Sequence, residues 1–387
     1  MNISSTLFAK TIKQKFIEND EEYYDGGLGE NPLPQPPMLL DVIEDHKEKK
    51  EYTSARGLPE LQKLLGKRII VGNGLKPLLF LIQLAFHKLY PNGIIYHIVP
   101  FWVSYEEQTK ILGIQTKRIY PSNTTTWKVT AQDLDNQMEP NRHNMIIFNN
   151  PCNPSGCVYT PEEVEKISRV FREHKSFVVA DDIYEDIVHE NKMLGQIKDF
   201  YSKTISGSSL SKMVACGGYR FGWLVFNSPD LSEIYEVTNI MASSIYSCPS
   251  ILFQHVAIAT LEYPPHIVKY LTIQRKIFTD LKNHIKEKLK DTKLILSDSN
   301  AAWYMLINFD NYREKLAKLD IYDSEELSKY LIEEKKIIMV GGKNFGIEDQ
   351  LVLRYSFVEI TDIDMETFDY NTEKIDILLF LLKEWLK

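Results

Sequence analysis

The sequence predicts an α/β fold: a mostly parallel sheet sandwiched by helices, joined to a smaller α+β domain. Three observations carry that expectation. Short β-branched runs alternate with helical patterns through the middle of the chain. The texture changes near residue 265, where a Lys-rich helical stretch begins. The length, 387 residues, is enough for a large core spread over two domains.

Taken in order, the run GGLGENPLPQPP (26–37) reads as turn and extended chain, and is expected to cross over to the smaller domain. The mixed-sign run from Glu44 to Tyr52 suits a solvated helix face. Strands are predicted at Ile94–Pro100, Met145–Asn150, Phe177–Asp182 and in the run entering Ser206–Ser209. Between them, Thr160 can cap a helix, Pro161 can open it and Glu163 can complete a capping box. Val164, Ile167 and Phe171 then form one apolar face. Ile277, Leu281, Ile285 and Leu289 recur every four residues, the mark of a long amphipathic helix. A strand-like stretch at Ala301–Phe309 follows, then a helix from about Ser324, a strand at Ile337–Val340 and a strand-like LVLRYSF around Arg354. The implied boundaries are 45–265 for the large domain and 1–44 plus 266–387 for the smaller one.

Composition excludes several function classes. Hydrophobic residues make up 44% and charged residues 25%, as in an ordinary globular protein. The net charge of -8, with no basic block, argues against a nucleic-acid partner. The four cysteines lack CxxC spacing, which argues against a metal or disulfide framework. The start MNISSTLFAKTIKQKF has no apolar core of a secretion signal, and the longest apolar run, Ile377–Leu382, is too short to span a bilayer. A cytoplasmic protein with no membrane partner is expected.

Ligands of open α/β sheets sit beyond the carboxyl ends of the strands, so polar residues there are the candidates. They are Gly74 after IIVGN, Trp102 after the strand ending at Pro100, Asn153 in NPCNPSG, Asp181 and Tyr184 in ADDIY, and Lys212 with Arg220. Lys212 is unusual because its neighbours, SSLSKMVACGG, are small and hydroxyl-bearing rather than charged.

NPCNPSG, the Asp181-x-x-Tyr184 pair, SLSK with an arginine eight residues on, and PFWVSY together resemble the class I/II aminotransferases, from about Tyr52 to Arg354. That family comprises pyridoxal 5'-phosphate (PLP) enzymes of fold type I. The resemblance implies that Lys212 forms a Schiff base with the cofactor aldehyde and then moves the substrate Cα proton. It implies that Asp181 keeps the pyridine nitrogen protonated, that Tyr184 and Asn153 bond the ring oxygen, and that Trp102 stacks on the ring. Arg220, Ser209, Ser211 and the Gly74-Leu75-Lys76 turn would hold the phosphate, Pro77 having no N–H to give. Arg354 would grip the substrate α-carboxylate, with Asn153 and Gly29 or Gly27 close to the substrate. Tyr52 would reach the phosphate of a neighbouring subunit, making the functional unit a homodimer. The implied reaction passes an amino group from an L-amino acid to a 2-oxo acid.

Plainer roles stay open for single residues: a snorkelling Lys212, a turn at Asn153, a core Trp102, an exposed Lys76 or Tyr52, and a solvent-facing Arg354. The chain also departs from the pattern. Ser243 stands where aspartate aminotransferases of the vertebrate type have an arginine for the second carboxylate. Gly341-Gly342 replaces a Pro-Gly, and Ala302 takes a position where glycine is common. Elimination by a lyase or by an aminocyclopropane-carboxylate-synthase-like enzyme shares the same first step, so the motifs do not separate it from transfer. A regulatory protein that kept the fold is the alternative from another class. A nicotinamide dehydrogenase is excluded because no GxGxxG follows a strand.

Overall fold

The computed structural model describes residues 5–387, with side chains from Lys10 onward. A short strand, Tyr24–Asp25 (β1), lies apart from the main sheet. The main sheet consists of Ile69–Gly72 (β2), Ile94–Ile98 (β3), Thr116–Ile119 (β4), Asn144–Asn149 (β5), Phe177–Asp181 (β6), Thr204–Ser209 (β7) and Gly222–Phe226 (β8). Its order is β2-β8-β7-β6-β5-β3-β4, parallel throughout except at β8. The central strands β5 and β6 are almost continuously buried, as apolar runs covered on both faces should be.

Topology explains where the polar strand ends meet. β5, β6 and β7 run parallel, with Asn149 level with Asp181 and Asp181 level with Gly207. β8 runs the other way, so its first residue, Gly222, pairs with Ser209 and Gly72. The carboxyl ends of β5, β6, β7 and β2 and the amino end of β8 therefore share one edge.

The helix Pro161–Glu173 starts as the sequence predicts. The Thr160 side chain accepts from the Glu163 N–H at 3.3 Å, and the Thr160 N–H donates to the Glu163 carboxylate at 2.8 Å. Beyond the main sheet, the helix Pro265–Leu289 buries Ile277, Leu281, Ile285 and Leu289 against Trp303 and Phe309. Ile295–Leu296 (β9), Tyr304–Asn308 (β10), Ile337–Ile338 (β11), Val340–Gly341 (β12) and Val352–Ser356 (β13) complete the strands. The second sheet is antiparallel, ordered β12-β13-β10-β9.

Two elements differ from expectation. The predicted strand Ile337–Val340 divides at Met339: β11 pairs parallel with β1, and β12 pairs with β13. All four of its residues are buried, so the apolar run alone gives no sign of the change of partner. The Glu44–Tyr52 run is solvated, but its helix, Met38–His46, stops early. After His46 no apolar residue remains in the run to hold a helical face down before Tyr52. Among the described residues no helix is long and apolar enough to cross a membrane.

Candidate active site

A cavity of about 340 Å³ opens at the shared strand edge. Its wall includes Asp181, Tyr184, Asn153, Lys212, Trp102 and Arg354, together with Gly29, Leu75, Lys76, Ser209, Ser211 and Arg220. Gly74 stands directly behind Arg220: a Cβ there would lie 2.4 Å from the Arg220 Nη2, and its φ of 90° suits glycine. Tyr52 is the one predicted site residue that lies away from this cavity; it is 90% exposed. A larger groove of about 1320 Å³ runs along the helix Glu373–Leu386, is lined largely by surface lysines and acids, and contains none of these residues.

The anionic side of the cavity is Asp181, at the end of β6 and 3% exposed. Burial pushes its carboxyl up to about 6; hydrogen bonds from the Tyr105 hydroxyl and from the Ile183 N–H oppose that rise. The Tyr105 Oη donates to the Asp181 Oδ2 at 2.5 Å, and burial together with this carboxylate holds the tyrosine hydroxyl well above its ordinary pKa, so it stays a donor. The Asn149 Nδ2 donates to the Asp181 carbonyl at 2.9 Å and fixes the backbone. Tyr184, also raised by burial, meets the Tyr304 hydroxyl at 2.9 Å.

The cationic side has four groups. Lys212 is half-buried, lies 5.3 Å from the centre of the Trp303 ring and donates through Nζ to the Gly29 carbonyl. Arg354, on β13, is 2% exposed. Its Nη1 donates to the Asn153 Oδ1 at 3.1 Å and its Nη2 to the Gly27 carbonyl at 2.5 Å, while its Nε is buried without a partner. Among the described residues no carboxylate pairs with it, so the surface reading of Arg354 is excluded. A buried guanidinium with an unfilled N–H is poised for an anion.

At the other end, the helix Leu75–Leu89 begins beside Arg220, whose Nη1 and Nη2 donate to the Gly217 carbonyl at 2.9 Å and the Asn73 carbonyl at 3.2 Å. The Ser209 hydroxyl accepts from the Ser211 N–H at 3.2 Å. Lys76, exposed at the rim, holds its Nζ 4.6 Å from the centre of the Trp102 ring. Surrounding protein lowers its pKa, with Arg220 and Lys212 adding to the effect. A helix N-terminus, two hydroxyls and a guanidinium make a site for a phosphate-sized anion.

Tyr105, Tyr304 and Asn149 belong to this cavity and escape the sequence reading. Tyr105 lies inside PFWVSY, three residues after Trp102, in the first turn of the helix Ser104–Leu112. Asn149 ends β5 itself, and Tyr304 opens β10 inside the predicted strand-like stretch Ala301–Phe309. A polar residue at a strand's carboxyl end is a signal for Asn149 alone.

Residues 27–368 match the profile of the family described as "Aminotransferase class I and II". An aspartate aminotransferase of Bacillus subtilis is 28% identical over 376 residues, covering 91% of this chain and 92% of that protein. One from Bacillus sp. strain YM-2 is 27% identical over 374 residues, covering 91% and 92%. In fold, the solved aspartate aminotransferase of Thermotoga maritima matches with a TM-score of 0.83 at 21% identity, covering 100% of this chain and 97% of that one. With a profile match spanning most of its length, the chain belongs to the class I and II aminotransferases and carries out amino-group transfer.

Proposed function

We propose that the protein is a PLP-dependent aminotransferase for an acidic L-amino acid and its 2-oxo acid partner, built around Lys212. One observation carries this reading. The Lys212 amine and the unfilled Nε of buried Arg354 line the same cavity, with Asp181 also on its wall. The donor set also fits the cofactor: a carboxylate suits a ring nitrogen, and the Arg220 end suits a phosphate. When bound, PLP supplies an electron sink for the pair left on Cα.

The chain's own residues do the rest. Arg354 holds the α-carboxylate, oriented by Asn153 and Gly27. Asp181, which accepts from Tyr105, would hold the ring nitrogen of the cofactor. Lys212 removes the Cα proton and returns one, its Nζ being held toward the cavity by Gly29. Tyr184, through its hydroxyl, and Asn153, through its amide, would hold the ring oxygen.

For the second carboxylate, Ser243 is exposed on the helix Ser232–Ile245 and outside the cavity, but Lys76 supplies a rim cation with no ion-pair partner among the described residues. The curated relatives named aspartate aminotransferases favour the same substrate class. A homodimer suits the exposed Tyr52, Lys76 and Arg220, which a partner subunit would cover. The domains divide at 45 and 265 on this reading, with the large sheet inside 69–226, the small sheet inside 295–356, and β1 joined to β11. A cytoplasmic location accompanies it.

The test is the visible spectrum of the purified protein titrated with single L-amino acids. The cofactor band should shift with aspartate or glutamate, and a Lys212→Ala variant should not cycle. A protein without a cofactor band after addition of PLP refutes the reading.

A further inference from the structure

Two of the site's cations are held by backbone carbonyls of a single segment. Arg354 donates to Gly27, and Lys212 donates to Gly29. What fixes that segment is Asp25, a residue with 3% exposure that lies outside the cavity wall. Its Oδ1 accepts from the N–H groups of Gly27 at 2.9 Å and Leu28 at 3.2 Å, folding the chain into a turn. Its Oδ2 accepts from the Lys13 Nζ at 3.0 Å, on the N-terminal helix Ser5–Glu18. Its own N–H donates to the Glu359 carboxylate at 2.6 Å, and Gly26 between them bonds the Ile338 carbonyl and the Ser356 N–H. Asp25 thus joins the first helix, the second sheet and the segment facing the substrate.

We propose that Asp25 is a positioning residue for substrate-carboxylate recognition, and that the Lys13–Asp25 ion pair makes the N-terminal helix part of the substrate site. The inference rests on the reading of Arg354 as the carboxylate-binding arginine. The Arg354 guanidinium is held in plane by two acceptors, Asn153 and Gly27. The Gly27 carbonyl keeps its place because the Gly27 N–H, across the same residue, is tied to Asp25. Releasing the turn lets the Gly27 carbonyl drift, and the guanidinium loses the acceptor that sets its tilt. The Nε then meets a carboxylate at a poor angle, where charge-assisted bonds weaken steeply.

The two bonding roles of Asp25 separate by substitution. Asp25→Ala removes both the turn acceptor and the ion pair. Asp25→Asn keeps an oxygen for the two N–H groups and loses the charge and the Oδ2 acceptor that Lys13 uses. Lys13→Met leaves the turn intact and frees the helix.

The experiment measures kcat and KM for the amino donor, succinate binding by tryptophan fluorescence, and melting temperature, in these three variants and in Arg354→Lys. KM and the succinate dissociation constant should rise about tenfold in Asp25→Ala and about two- to threefold in Asp25→Asn and Lys13→Met, with kcat falling by a smaller factor than KM rises. Asp25→Ala that is less thermostable but keeps wild-type KM and succinate affinity overturns the proposal, since Asp25 is then structural only. Should Asp25→Ala fail to fold, unchanged KM and succinate affinity in both Asp25→Asn and Lys13→Met overturn it equally. A wild-type KM in Arg354→Lys fails the parent reading instead, and this arm separates the two.

Discussion

Removing the Tyr105 hydroxyl should change the pH range over which the enzyme works. The Asp181 carboxyl is pushed up to about 6 by burial, and the Tyr105 hydrogen bond at 2.5 Å restrains that rise. Hydrogen bonds to charged groups contribute about 1.5–3 kcal/mol, and 1.36 kcal/mol corresponds to one pKa unit. Tyr105→Phe should therefore raise the Asp181 pKa by about 1–2 units. A protonated carboxyl no longer stabilises a protonated ring nitrogen opposite it. The assay is kcat/KM against pH for the wild type, Tyr105→Phe and Asp181→Asn. The acid limb should move upward by about 1–2 units in Tyr105→Phe, with most activity recovered above it. An unshifted limb in Tyr105→Phe, alongside a large loss in Asp181→Asn, would refute the claim that Tyr105 holds Asp181 ionised.

Other consequences are as direct. Because the folded-state pKa of Asp181 lies above its ordinary value, its protonated form favours the fold at low pH, and that contribution is lost as pH rises from 3.8 through about 6. The separation amounts to roughly 3 kcal/mol, so cofactor-free Asp181→Asn should gain melting temperature over cofactor-free wild type at pH 8 but not at pH 4. Gly74→Ala places a Cβ 2.4 Å from the Arg220 Nη2 in a left-handed backbone, and should weaken PLP affinity at least tenfold by equilibrium dialysis. Gly29→Ala meets the Tyr304 hydroxyl at 2.1 Å, so kcat/KM should fall more than tenfold with little loss of PLP affinity. Lys76→Met should lower kcat/KM for aspartate at least fivefold and leave alanine unchanged, as expected for a lost cation–carboxylate contact.

Much of this site was legible because its residues lie where parallel strands end. Asp181 ends β6, and Asn153 and Lys212 follow β5 and β7, so strand pattern and residue type together locate them. The Pro161–Glu173 helix was legible for a local reason, since its capping box needs only residues three apart. Tyr105 was not, because its role depends on a partner 76 residues away in the sequence. Asp25 was hidden for a similar reason: its turn to Gly27 is local, but its partners Lys13 and Glu359 and the link to Arg354 meet only in the folded chain. The change of partner at Met339 was also invisible, because both halves of the run are equally apolar. Tyr52 and Ser243 show the limit in another way, since their exposure in one chain says what they do not touch, and the residue pattern carries the rest.

The most direct test of amino-group transfer through Lys212 follows the amino nitrogen itself. Purified protein with PLP is given 15N-labelled L-aspartate and unlabelled 2-oxoglutarate, beside a Lys212→Ala control, and the products are read by mass spectrometry. The wild type should give 15N-glutamate and oxaloacetate in equal amounts, and the variant no turnover. Release of 15N-ammonia without labelled glutamate, or equal turnover in Lys212→Ala, would contradict it.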